Sequence, residues 1–161
     1  MNIFVLYADP VRCAKAHCDK HVVKMILETA QLLSTTHHIL DNGKVPEGIY
    51  KSTHRMHPCA VWARQSAGNY TWLHELGMSL CAEYTHRYLK THKTQEVLHI
   101  LRKLPRSIAR TRQTPWAQCM PDQYRAPRNA IQAYRAYYMG EKARMLKYTN
   151  RPHPSWLTIG E

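Results

Sequence analysis

Apolar positions along this chain recur mostly at helical spacing. The exception is the run NIFVLY at residues 2–7, which is apolar and β-prone but too short to define a sheet. Asp9-Pro10 then reads as the N-cap and first residue of a helix. The periodic pattern carries that helix to about Leu40, where Asp41-Asn42-Gly43 stops it. Residues 41–56, with Gly43, Pro46 and Gly48, form a loop. Pro58 opens a second helical region that reaches Lys90, broken or kinked over Ser66–Asn69 around Gly68. Thr94 caps a short helix, QEVLHILRKL, closed by Pro105. Residues 105–127 are irregular and hold four prolines, and Trp116 and Tyr124 predict that this long loop is ordered. Residues 127–147 form a last helix, and 148–161 are a tail. The expectation is a mainly α fold: a compact single-domain helical bundle of about four helices with long loops, covering 1–161 without repeats or low-complexity tracts.

The segment HCDKHVVKMILETAQLL is apolar around most of its girth, as a buried helix is. Its polar exceptions are not scattered. On one continuous helix His17, His21, Lys24, Glu28 and Gln31 fall within about 80° of arc. A narrow polar stripe with both signs of charge on a helix bound for the core is costly unless the charges are paired or useful. An ordinary wet face with a Lys24–Glu28 pair is the plain alternative. Two histidines and a glutamine in so narrow a row favour a stripe that lines a cleft and perturbs ionisation.

Charge changes the picture next. The chain carries 23 Lys and Arg against 11 Asp and Glu, a net +12. Residues 1–100 hold 11 basic and 8 acidic groups, net +3, whereas residues 101–161 hold 12 and 3, net +9. Such an excess repels itself, and a polyanion relieves it. DNA, double-stranded, is the expected partner. Arg102, Lys103, Arg106, Arg110, Arg112, Arg125 and Arg128 face a single acid, Asp122. Arginine suits phosphate through its planar fork. Trp116, Gln118 and Tyr124 are interleaved with these cations, as in a backbone track that also stacks or wedges bases. Alternatively Trp116 anchors an exposed basic loop to the core. A second basic group is the loop with Lys51, His54, Arg55 and His57, followed by Arg64 on the Pro58 helix; cations beside a helix start suit phosphate.

Other classes recede. No apolar run approaches the ~18 residues of a membrane span, and MNIFVLYADP lacks the shape of a secretory signal. Cysteines 13, 18, 59, 81 and 119 are odd in number and unpaired in spacing, which argues against a disulfide scaffold and for a reducing compartment. Cys13, His17 and His21 share an i, i+4, i+8 row, but no CxxC or HExxH accompanies them, so neither metal nor other cofactor is expected. The location expected is the cytoplasm of a bacterium or of a phage-infected host.

The order of pieces resembles a known family. A short apolar N-terminus (MNIFVL) precedes a helix with LETAQLL and Glu28, and YKSTHRMHP leads through His57-Pro58 into the next helix. This is similar to the small all-α pyrimidine dimer DNA glycosylases with AP-lyase activity, of the phage endonuclease V type, over roughly the first 90 residues. It also resembles phage proteins with an HCDKHVVKM-like segment. The resemblance implies that a free α-amine attacks deoxyribose C1′ and that a Glu assists ring opening and proton removal. Carried over by residue, it makes Glu28 the acid/base and His21 its neighbour. In the family a small residue freed by Met removal carries the amine and an Arg follows it. Here Met1 precedes Asn2, which leaves Met in place, so Met1 supplies the amine. Lys24, one turn from Glu28, is the other source if burial makes it a free base. An α-amine titrates near ~7.7–8.0, so a useful fraction is nucleophilic at neutral pH.

The leading expectation is thus glycosylase or lyase chemistry on a pyrimidine nucleotide of DNA. Two rivals stand beside it. One is a phage base-modifying transferase that joins an amine donor to a modified pyrimidine, which also needs an extruded base. The other is a non-catalytic nucleic-acid-binding protein, for which Glu28 is unnecessary.

Overall fold

The structure, a computed structural model, describes residues 1–158. Over these residues it is helical without strands: α1 Pro10–Ala16, α2 Asp19–Leu40, α3 Pro58–Gln65, α4 Ala67–Tyr88, α5 Gln95–Ile100 and α6 Ala130–Gly140. Two short 3-10 turns, Asp122–Tyr124 and Ala143–Met145, complete it. The mainly α expectation holds, with six helices in place of about four. None is long and apolar enough to cross a membrane.

The extra helices come from two breaks. The helix expected over 10–40 is split at His17-Cys18. Asp9 starts α1 by accepting from Arg12 N–H at 2.8 Å, with Pro10 in the first turn. At the other end His17 turns extended (φ −68°, ψ 135°), and its Nδ1 lies 2.7 Å from Cys13 O. A carbonyl only accepts, so Nδ1 carries the proton, and the ring takes over a carbonyl that would otherwise be orphaned. Asp19 restarts the chain as α2 because its carboxylate is claimed by distant groups. It binds Arg87 at 3.0 Å, and the Thr149 amide and hydroxyl at 2.9 and 2.6 Å. Arg87, 2% exposed, also meets Glu83 at 2.9 Å and Lys15 O at 3.1 Å, and Arg151 binds Glu83 from the tail. Removing one member of such a buried set costs about 3–5 kcal/mol, because it strands the others' charge.

The second break is at Ser66, near the expected kink. Its hydroxyl accepts from Asn69 N–H at 3.0 Å and starts α4. Packing of α4 against α2 forms the centre of the core, around Val22, Ile26, Leu33, Leu73 and Leu80. Gly77 permits the close approach: a Cβ there would stand 2.9 Å from Thr29 Cγ2.

Two irregular stretches are as firmly seated as the helices. Residues 3–6 are at most 5% exposed, so the N-terminal run threads the core as a single extended segment. With no sheet neighbour, its backbone groups are taken by side chains: Leu6 O accepts from Arg135 Nε at 2.9 Å, and Phe4 O from Cys13 Sγ at 3.2 Å. The basic stretch after α5 is stitched to the start of α4. Ala67 N–H donates to Ala109 O at 2.8 Å, and Thr114 N–H to Asn69 Oδ1 at 2.8 Å. The last helix, expected over 127–147, is the shorter α6, capped by Asn129 on Gln132 N–H, with Tyr134 and Tyr138 fully buried.

Candidate active site around the N-terminal amine

The extended N-terminal segment delivers Met1 to the side of α2. Its amino nitrogen lies 3.0 Å from Glu28 Oε1. The Met1 side chain is 4% exposed although the residue as a whole is half-buried, so what remains accessible is its backbone end, where the amine sits. Glu28 is 7% exposed. Its second oxygen, Oε2, is buried without a hydrogen-bond partner, and Lys24 Nζ stands 3.9 Å away, beyond bonding distance. A buried carboxylate oxygen without a partner is costly, and such groups concentrate where protons are handled.

Asn2 fixes this arrangement. Its Nδ2 donates to Cys119 O at 2.8 Å, and its Oδ1 accepts from the Tyr134 hydroxyl at 3.1 Å and from Ile3 N–H at 2.8 Å. Groups distant in sequence therefore hold the residue next to the amine. Nothing in the local sequence singles out Asn2; only its place beside Met1 hints at a role.

The predicted stripe divides. Glu28 and Lys24 share the site, with Gln31 half-buried one turn on, while Lys24 is exposed. His17 and His21 belong to the interior. His17 is fully buried. His21 stacks on Phe4 at 4.2 Å and lies 2.6 Å from the Tyr138 hydroxyl. Burial pushes His17 down to about 4, and burial with the charge of His17 pushes His21 down to about 3. Both are neutral aromatic packing at physiological pH, and neither presents an atom to a ligand at the surface. On a helix whose apolar girth reads as buried, Leu27 is 39% exposed and Val23 is 41% exposed. The wet side of α2 thus mixes Lys24 with apolar groups next to the amine.

The loop before α3 borders the same place. His57, half-buried, lies in the field of both the Met1 amine and Glu28; burial first, then the amine, pushes its imidazole below the usual range. Its Nδ1 accepts from Cys59 N–H at 3.1 Å and so caps α3. Lys51, His54 and Arg55 are exposed, and Arg64 is tied by its guanidinium to Arg55 O at 2.7 Å. Met56 is 80% exposed among them, an apolar tip that sequence reasoning passed over.

In the basic stretch Arg102, Lys103, Arg106, Arg110, Arg112, Arg125 and Arg128 are all exposed. The stretch leads to Cys119 and so to the N-terminus. Trp116 and Gln118 are turned inward. Trp116 packs edge-on against Trp72 at 5.3 Å, and Gln118 clamps Ala126 through both ends of its amide, at 2.7 and 2.9 Å. These two stiffen the loop that carries the arginines. His57, Cys59 and Cys119 also converge here, their donor atoms all within 4.8 Å of one another. A cavity of about 630 Å3 lies elsewhere, between the start of α1 and α4, lined by Asp9, His74, Glu75 and Arg102 among others.

Searches of curated proteins and of solved structures gave no significant match. A family model described as pyrimidine dimer DNA glycosylase matches residues 1–97, more than half of the chain and the part that carries Met1, Glu28 and His57. The chain belongs to the pyrimidine dimer DNA glycosylase family, whose substrate is DNA.

Proposed function

We propose that this protein is a DNA glycosylase with AP-lyase activity, in which the α-amine at Met1 is the nucleophile and Glu28 moves the protons. The observation that carries the reading is the amine 3.0 Å from Glu28 Oε1, with Oε2 buried and unpartnered. The amine's lone pair attacks deoxyribose C1′, and the base leaves with a proton. The C1′–O4′ bond then opens to an imine, O4′ taking a proton from the Glu28 carboxyl. The Glu28 carboxylate next accepts the C2′ proton, the C3′–O bond breaks and the 3′ phosphate departs. Water hydrolyses the imine and frees the amine. Because one carboxyl both gives and takes the proton, it must lie within hydrogen-bond reach of the nucleophile.

The reacting sugar has to leave the duplex. Lys51, Arg55 and the exposed arginines of residues 102–128 are the groups for phosphate contacts. Exposed Val23, Leu27 and Met56 offer apolar surface to a displaced base.

Borohydride trapping tests this. Duplexes with a cyclobutane pyrimidine dimer or an abasic site are incubated with the protein and reductant, and the cross-linked peptide is mapped by mass spectrometry. The expected adduct is on the Met1 amine, persists in Lys24→Ala and disappears on N-terminal acetylation. An adduct on Lys24 overturns the assignment of the nucleophile. Binding without an adduct on either substrate overturns the reaction.

A further inference from the structure

Outside the proton-transfer pair, one group of chemically capable side chains is unused: His57, Cys59 and Cys119. We propose that they form a binding site for a thiophilic d10 cation, Zn2+ in the first instance, beside the N-terminal amine and independent of the reaction proposed above.

The donors come from two parts of the chain that only the fold brings together. His57 and Cys59 sit at the start of α3, and Cys119 lies in the irregular stretch about sixty residues later. Cys59 Sγ and Cys119 Sγ are 3.3 Å apart, and all three donor atoms fall within 4.8 Å of one another. Tetrahedral zinc with ~2.3 Å bonds to sulfur places two thiolates about 3.8 Å apart, so the pair need open by only about half an ångström. Two sulfurs and an imidazole match zinc and exclude magnesium or calcium, which take oxygen. Three protein ligands leave the fourth position to water.

The surroundings are arranged for these donors. Cys59 is fully buried and Cys119 half-buried, so the site is shielded yet reachable. Asn2 holds the Cys119 carbonyl at 2.8 Å, and the Cys119 amide donates to the Tyr134 hydroxyl at 3.1 Å, which fixes the backbone that aims the thiol. Charge balance also permits it. Binding replaces two thiol protons by one divalent ion, two thiols and Zn2+ giving the dithiolate complex and two protons. The complex is neutral and adds no positive charge next to the Met1 amine.

The test uses the full chain, kept reduced by a phosphine and stripped of metal. Titration with Co2+ should give one equivalent bound, with thiolate-to-cobalt charge transfer in the near ultraviolet and the intense visible bands of a tetrahedral ion. Zn2+ should displace it, and binding of either metal to the metal-free protein should release two protons per metal. Cys119→Ser and His57→Ala should each weaken Zn2+ binding at least ~10²-fold, while Cys81→Ala leaves it unchanged. Zn2+ should also protect Cys119 of the unmutated protein from alkylation, a readout that needs no variant to fold. A reduced protein that binds no Co2+, a spectrum without sulfur charge transfer, or a Cys119 alkylated equally fast with and without Zn2+ would overturn the proposal. None of these readings requires DNA or turnover, so they are separable from the fate of the amine mechanism.

Discussion

The Met1 amino nitrogen meets Glu28 Oε1 at 3.0 Å, across the whole of α1 and the first half of α2. The pairing exists because residues 3–6 run buried as one extended segment anchored at Leu6 O by Arg135. A flexible terminus would sample many positions; this one is held to a single carboxylate, which prepays the ordering that an attacking amine needs.

Replacing Glu28 by Gln tests the proton-transfer role. The amide keeps shape and hydrogen-bonding reach but cannot cycle a proton. Turnover should fall ~10²-fold or more, while DNA affinity stays the same or rises because a negative charge is lost. A folded Glu28→Gln protein that binds DNA and turns over at the parent rate would remove the basis for the mechanism.

The arginines of the 102–128 stretch should set the salt dependence of binding. Arg106, Arg110 and Arg112 are exposed and carry their charge on a segment stitched to α4. Every DNA phosphate that a side chain neutralises adds ~0.9 to the log–log salt slope, so replacing all three arginines by Gln should flatten it by roughly two to three. An unchanged slope would place the DNA on another face.

Gly68 should control whether that segment is held in place. A Cβ on Gly68 would collide with the Arg112–Gln113 backbone, with the Gln113 Cα only 2.8 Å away. Gly68→Ala should therefore cost ~1–3 kcal/mol and loosen residues 109–114. Trypsin cleavage after Arg110 or Arg112 should speed up and DNA affinity should drop. A variant as resistant to trypsin as the parent would mean the stitch is unimportant.

Stability should fall in mild acid because of the two buried histidines. Burial holds His17 at about 4 and, aided by the charge of His17, His21 at about 3, against an ordinary 6.5. Between those limits the unfolded chain binds protons that the folded one refuses, so stability is full above pH ~6.5 and is lost as pH drops through ~4 to ~3. From pH 7 to pH 5 each group should remove roughly 2 kcal/mol. Asp19 and Glu83 add to the loss at lower pH: burial alone would raise them, but Thr149 and the arginines Arg87 and Arg151 hold them below the usual range, so protonation undoes those bonds. Urea midpoints across this range provide the check, and a flat profile would contradict neutral, buried imidazoles.

Much of the helical architecture and one member of the candidate site, Glu28, could be read from the chain. Polar groups on an otherwise apolar helix point to Glu28, because burying a carboxylate is expensive and needs a reason. Local signals locate the starts of α1 and α3, because Asp9, Pro10 and Pro58 act on backbone groups within a few residues, and the break before α4 falls in the Ser66–Asn69 stretch around Gly68. The clustering of arginine after residue 101 is a matter of counting. What is local in cause is legible in sequence.

The remainder was decided by groups far apart in the chain. Periodicity runs through His17-Cys18 without a mark, and the helix ends there because His17 takes Cys13 O while Arg87 and Thr149 claim Asp19. The same break takes His17 off the stripe, and the N-terminal segment covers His21 with Phe4. Trp116 and Gln118 look like ligand-binding groups in a basic loop, yet Trp72 and Ala126 occupy them. The partner of Glu28 and the convergence of His57, Cys59 and Cys119 depend on pairings that span 27 and about 60 residues. Hydrophobic pattern fixes which face of an element is buried, but not which distant side chain it meets; that follows from packing the segments together, and only the tertiary structure decides it.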